Sequence, residues 1–330
     1  GYVLVYRQEN VKPELVPKYV DCVTVVPRNI IFIYAGRWKF LRIQLAHIYR
    51  ELHRNGGVIH EVWFMMIKYD EQAEQSLLKF IEVANNASKH VIFSVHYLGT
   101  PPVKFHRPYK EVFEGVVQHP YDKYLKLDDD IVYIHPGAFR TMIEKQNPSQ
   151  CFMHFFNIAG SNWRCSWLHQ KNDVYNETNP KHFVFDFSPK AHCGWKTADC
   201  AELTLRTFLH HHKNNQLERY FFKGLYLTPD RKRFSINAFL LDRHLLTYEM
   251  ASIEPIGPDD EQWWTVTYSA KVAHPNCVVG EALVVHFAYS KVYDAMLKLG
   301  LLQEFEKIVT RNRQSFKMEQ EVWKTLGFDD

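Results

Sequence analysis

The sequence predicts an α/β fold, with a mostly parallel central sheet and helices on both of its faces. Three observations carry this. Strand-like and helix-like runs alternate over the first 135 residues, a rhythm that suits parallel strands joined by crossover helices. With 330 residues, 46% of them hydrophobic, the chain can bury such a sheet. Three consecutive acids, Asp128, Asp129 and Asp130, stand between two apolar strand-like runs in KYLKLDDDIVYI. In open α/β sheets, ligands bind outside the carboxyl ends of the strands, which is where these acids fall.

Each element follows in order. RNIIFIYAG reads as a buried strand that turns at Gly36. KFLRIQLAHIYRELHRNGG carries Phe40, Leu41, Leu45, Ile48 and Leu52 at helical spacing and stops at Gly56-Gly57. VIHEVWFMMI is a second strand, DEQAEQSLLKFIEVANN a helix with an acidic start, HVIFSVHYL a third strand and YDKYLKL a fourth. Pro136-Gly137 then opens a helix through Ile143. Residues 147–200, rich in Asn, His, Trp and Pro, read as irregular. Beyond them CAELTLRTFLHHHKN is a helix, FSINAFLLDR a strand entering a helix, DDEQWWTVTYSAK an acidic helix start and ALVVHFAY a late strand. Two further helical patterns close the chain. No repeat, low-complexity stretch or linker divides it.

Composition excludes some functions. A formal charge of +3 gives no electrostatic case for nucleic acid or an anionic membrane. No apolar run reaches the roughly 18–20 residues of a membrane-spanning helix, and no signal peptide is visible. The chain opens at Gly1 rather than Met, which leaves an upstream anchor, and with it cytoplasm or Golgi lumen, open. Six cysteines without a CxxC argue against a thiolate zinc site. They read as buried small apolar residues, with one or two disulfides within Cys151–Cys200 left open. Asn86 and Asn176 match the glycosylation pattern, which alone says little about compartment.

Side chains alternate along an extended chain, so Asp128 and Asp130 point one way and Asp129 the other. Two carboxylates on one side suit a hard divalent cation, Mg2+ or Mn2+, which relieves their repulsion and can neutralise a diphosphate. A solvated acidic turn is the plainer alternative. Further on, Asp259, Asp260 and Glu261 sit at a helix start, where the dipole favours acids. His286 stands inside an apolar strand, where a satisfied core histidine is the bland reading. Together, an Asp-x-Asp after a strand, an acidic cluster about 130 residues later and a late-strand histidine are harder to dismiss.

In that order and spacing, from Arg28 to about Tyr289, the chain resembles the GT-A superfamily of glycosyltransferases. LKLDDDIVYI resembles its DxD motif, Asp259–Glu261 its second acidic motif and His286 its C-terminal metal ligand. SINAFLL takes the place of the superfamily's glycine-rich loop but has Ser235, Asn237 and Ala238 where glycine is common. The resemblance implies one GT-A-like, Rossmann-like globule over residues 1–330. Residues 28–135 would be the nucleotide-sugar-binding half and 136–290 a less regular acceptor-binding and catalytic half, with C-terminal helices over 291–330. It implies a metal held by Asp130 and His286 with Asp128, which bridges the two phosphates of a nucleotide-sugar donor, a UDP-sugar first and a GDP-sugar next. Tyr34, Ala35, Gly36, Arg37, Asp128 and Asp129 would line the donor site. Asp260 or Glu261 would act as general base toward the hydroxyl of a glycan or other acceptor, with inversion. The hexosyl or pentosyl nature of the sugar stays open.

The aromatic residues Trp163, Trp167, Trp195, Trp263 and Trp264 are core residues or a platform for the acceptor sugar. His210-His211-His212 reads as surface. Competing readings are a sugar-nucleotide nucleotidyltransferase, for which YAGRWKF lacks the glycine-rich basic loop, a glycoside hydrolase, which needs no metal, and a non-catalytic glycan-binding module.

Overall fold

The computed structural model describes residues 27–66, 70–97, 122–176, 185, 197–228, 233–241 and 260–328. Its strands are β1 (Asn29–Ala35), β2 (Glu61–Met66), β3 (Phe93–Tyr97), β4 (Lys123–Asp128), β5 (Ile131–Ile134), β6 (Met153–Gly160), β7 (Leu225–Thr228), β8 (Ala238–Leu241) and β9 (Asn276–His286). They form one nine-stranded sheet in the order β3-β2-β1-β4-β8-β6-β9-β5, and β7 shares the outer edge of β9 with β5. Strands β1, β2, β3, β4, β6 and β9 run one way, and β5, β7 and β8 run the other. The mixed, mostly parallel α/β fold is the one that the sequence predicts.

Among the described residues, the α-helices longer than one turn are α1 (Trp38–Arg50), α2 (Glu71–Ser88), α3 (Ala138–Glu144), α4 (Trp163–Lys171), α5 (Ala198–Lys213), α6 (Tyr293–Lys298), α7 (Leu301–Arg311) and α8 (Gln320–Thr325). Helix α1 buries Phe40, Leu41, Ile43, Leu45 and Ile48. The chain then leaves it through a 3-10 turn, His53–Asn55, that ends on the left-handed Gly56. Helix α2 starts because the Asp70 carboxylate accepts from the Gln72 and Ala73 amides, two of the donors that a helix start leaves unpaired. It lays Leu77, Phe80 and Ala84 on the core.

The second half corrects the reading of residues 147–200 as irregular. That stretch contains α4 and β6, and β6 is buried at all eight positions in the middle of the sheet. His154 and Asn157 disguise it. Both are fully buried polar residues with partners in the interior, the Asn147 amide donating to His154 Nε2 at 2.9 Å. Asn157 donates to the carbonyls of Tyr220 and Gly280 at 2.7 and 2.8 Å and accepts from His169 Nε2 at 2.7 Å.

The disulfide is also corrected. Cys151 is not simply a buried apolar residue: it pairs with Cys277, outside the span left open for a disulfide, because β6 and β9 are neighbours and bring the two Cα atoms to 5.8 Å. Cys200 is disulfide-bonded too, and Cys165 is a buried free thiol. The three histidines of α5 fan out as a helix requires, but only His210 is exposed, and His211 is buried beside Tyr220.

Candidate metal centre

The site gathers along one edge of the sheet. It takes the carboxyl ends of β1, β4, β6 and β9 and the amino end of the antiparallel β8. Strands β2 and β3 continue to one side of β1 while β4 lies on the other. The crevice between β1 and β4 is therefore a topological switch point, where such sheets bind ligands. Asp128 closes β4 there, in register with Tyr34 of β1.

The acidic turn is fastened through its backbone. The Asn237 carbonyl accepts from the Asp128 amide at 2.8 Å, Gln44 Nε2 of α1 donates to the Asp128 carbonyl at 2.8 Å, and the Phe287 amide donates to the Asp130 carbonyl at 3.0 Å. Immediately after the turn, β5 folds back antiparallel to β9 and sets Ile131 opposite His286. This return brings a histidine 156 positions away beside Asp130, with Nε2 and Oδ1 at 3.3 Å.

The three carboxylates have different surroundings. Asp129 turns toward the end of β1 and accepts from the Gly36 and Arg37 amides at 3.0 and 2.8 Å and from the Arg37 guanidinium. Burial pushes its pKa up to about 6, against the pull of Arg37. Asp130, 2% exposed, reaches the same guanidinium through Oδ2 at 3.1 Å. Burial would raise its pKa too, but His286 and Arg37 outweigh burial and hold it at about 2. Asp128 is the more open group, and both its oxygens have donors: Lys126 Nζ on Oδ1 and Asn237 Nδ2 on Oδ2 at 3.0 Å.

His286 Nδ1–H donates to the Ser161 carbonyl at 2.6 Å, which directs Nε2 toward the carboxylates. Burial opposes protonation of the ring, but Asp130 and Asp128 raise its pKa. Gly160, at φ +79°, permits this contact, because a side chain there would collide with the His286 carbonyl. Asn237 Nδ2 also lies 3.4 Å from Nε2, and Asn162 Nδ2 holds the Asn237 side-chain carbonyl at 3.2 Å.

Ligand atoms of Asp128, Asp130 and His286 all lie within 4.8 Å of one another. Asp130 Oδ1 is buried with no hydrogen-bond donor, facing the ring nitrogen. A carboxylate oxygen and a ring nitrogen held this close share a positive charge, a proton on Nε2 or a metal in its place, so the residues present fit a divalent cation bound by oxygen and imidazole nitrogen. Donation of the second ring nitrogen to a backbone carbonyl is the usual way a ligating histidine is held.

Of the other expected residues, Tyr34, Ala35, Gly36 and Arg37 lie at the same sheet edge, and Asp129 holds Gly36 and Arg37. Glu261 pairs with Arg233 and acts electrostatically on the Tyr289 phenol, whose ring packs on His286 at 5.6 Å. Asp260 begins a helical stretch that becomes a π-helix over Trp263–Tyr268, while Asp259 and Trp195 lie outside the described residues. Trp163, Trp263 and Trp264 are buried in the core, whereas Trp167 is only partly buried. Sequence reasoning missed the holding residues Lys126, Ser161, Asn162 and Gln44, and it read Asn237 only as a departure from glycine. The signal for Lys126 was present, as a lysine within the apolar strand YLKL.

Neither a protein-family model nor a curated protein sequence matches the chain. Among solved structures, it is similar to mannosyltransferase PcManGT from Pyrobaculum calidifontis, in complex with GDP-Man and Mn2+. The identity is 12% and the TM-score 0.42, over 92% of this chain and 74% of that one. At that level the likeness carries no functional argument, which rests on the site's own residues.

Proposed function

We propose that the protein is a metal-dependent glycosyltransferase that moves a sugar from a nucleoside-diphosphate donor to an acceptor hydroxyl. The observation that carries the reading is the orphaned Asp130 Oδ1 facing His286 Nε2, with Asp128 alongside, at the switch point of an α/β sheet. Asp130 and His286 hold the cation, and Asp128 completes the group. Such a cation supplies charge neutralisation to the leaving diphosphate. Tyr34 to Arg37, of which Asp129 holds Gly36 and Arg37, form the wall for the nucleoside, with residues 28–135 as the donor half. A UDP-sugar is the first donor to test and a GDP-sugar the second.

Residues 136–290 form the acceptor half. Asp260 or Glu261 takes the proton of the attacking hydroxyl, and the product has inverted configuration. The pairing of Glu261 with Arg233, two residues before the Ser235 whose hydroxyl is hydrogen-bonded to Tyr289, supports a place for it near the donor site. The Cys151–Cys277 disulfide supports an oxidising compartment.

The test is a panel of nucleotide sugars with Mn2+, with slow donor hydrolysis or transfer as the readout. Turnover that EDTA abolishes supports the reading. Release of pyrophosphate from a nucleoside triphosphate and a sugar phosphate would favour a nucleotidyltransferase instead. Metal-independent cleavage of a glycoside would favour a hydrolase.

A further inference from the structure

Lys126 is a buried cation directly beneath the acidic turn. It is 2% exposed, in the interior of β4, and alternation along the strand puts it on the same face as Asp128. Its Nζ lies 5.4 Å from the centre of the Tyr34 ring and 6.0 Å from that of Phe239. The ammonium donates to the Ile236 carbonyl at 2.5 Å and to Asp128 Oδ1. A charge placed in such surroundings is costly unless it is paired, and Asp128 pairs it. Lys126 thus pins the acidic strand to the segment that carries Asn237, the other donor on Asp128.

The charges around the turn then nearly balance. Arg37 pairs with Asp129 and Asp130, and Lys126 pairs with Asp128. Three carboxylates thus face two fixed side-chain cations, with the His286 ring beside Asp130. A purely structural pin needs only a hydrogen-bond donor, and a neutral side chain would serve. A full positive charge on one oxygen of a prospective ligand also repels an incoming cation. We propose that Lys126 is the resident counter-cation of this site: a positioning residue that fixes Asp128 and holds down the site's affinity for a bare divalent cation, so that cation and diphosphate bind together. The inference rests on the donor reading above. The diphosphate supplies the negative charge that Lys126 cancels in the free protein.

The two roles of Lys126 predict opposite signs when its charge is removed. Loss of a structural pin loosens Asp128 and weakens metal binding. Loss of a counter-charge strengthens it, by about ten- to a hundredfold, the scale of effect that one adjacent charge has on an ionisable neighbour. The experiment is titration of Mn2+ into the full chain, with free Mn2+ read by electron paramagnetic resonance, alone and with UDP or GDP. Wild type is expected to bind Mn2+ at least about tenfold tighter with the matching diphosphate than without it. Lys126→Gln is expected to bind bare Mn2+ tighter and to lose most of that coupling, while Lys126→Arg keeps the wild-type pattern.

Bare Mn2+ binding that Lys126→Gln weakens or leaves unchanged overturns the assignment. If Lys126→Gln fails to fold, the wild-type coupling still decides: equal affinity with and without diphosphate refutes the proposal, and at least tenfold coupling supports it. Absence of Mn2+ binding by wild type under every condition overturns the donor reading itself, and with it this proposal.

Discussion

His286 Nδ1–H donates to the carbonyl of Ser161 at 2.6 Å. This contact fixes the ring so that Nε2 faces Asp130 Oδ1 at 3.3 Å. The carbonyl belongs to the residue that follows β6, and the ring ends β9. Their parallel register places Gly160 beside His286. The geometry of the centre is therefore set by strand pairing as much as by the acidic turn.

The first prediction concerns the two facing ligands. Asp130→Ala and His286→Ala each remove an atom of the cation site, so Mn2+-dependent donor binding in calorimetry should fall below detection. Circular dichroism should show both variants folded. Donor binding of wild type that persists in EDTA would count against the centre.

A second prediction separates backbone strain from collision. Gly137 and Gly160 both have positive φ, at +77° and +79°. A Cβ on Gly137 meets nothing within 4 Å, whereas one on Gly160 collides with the His286 carbonyl and crowds Leu205 and Val285. Gly137→Ala should cost about 1–2 kcal/mol for the left-handed backbone alone. Gly160→Ala should cost more in urea unfolding and should also weaken Mn2+ binding. Equal costs, with metal affinity intact, would show that the Ser161–His286 contact does not depend on this glycine.

The base assignment makes a third prediction. If Asp260 or Glu261 activates the acceptor, one of Asp260→Asn and Glu261→Gln should retain donor binding and lose transfer by about 10²–10⁴-fold. A role limited to capping the helix predicts a stability loss of about 0.5–2 kcal/mol and near-normal transfer. Near-normal rates in both variants, or a product with retained anomeric configuration, would exclude them as the base of an inverting transfer.

Acid sensitivity is the fourth prediction. Burial lowers the pKa of His154 to about 4 and that of His169 to about 3. In the unfolded chain both titrate at about 6.5. Above that pH both states are neutral and the full stability is present. Below it the unfolded state takes up protons first, so stability falls with pH until the folded rings protonate. The urea midpoint should therefore drop steadily from pH 6.5 toward pH 4. His169→Gln, which can still donate to Asn157, should flatten that slope. An unchanged slope would mean that His169 is not one of the groups responsible.

The sequence by itself determined the alternation from β1 to β4 and the place of the three acids at a strand end. These are local properties, because periods of 2 and 3.6 and the turn at a strand end are written in adjacent residues. It also singled out His286, by chemistry and order. Only the tertiary structure decided which atoms meet. Strand β6 was hidden because its buried His154 and Asn157 look polar until their partners are in place. The partner of Cys151 depended on β6 and β9 becoming neighbours. The different surroundings of Asp128, Asp129 and Asp130 depended on Lys126 inside β4, Arg37 after β1, Asn237 before β8 and His286 at the end of β9. Such contacts follow from the order and register of a whole sheet, and pairings across a sheet are fixed by burial on its faces rather than by any one segment.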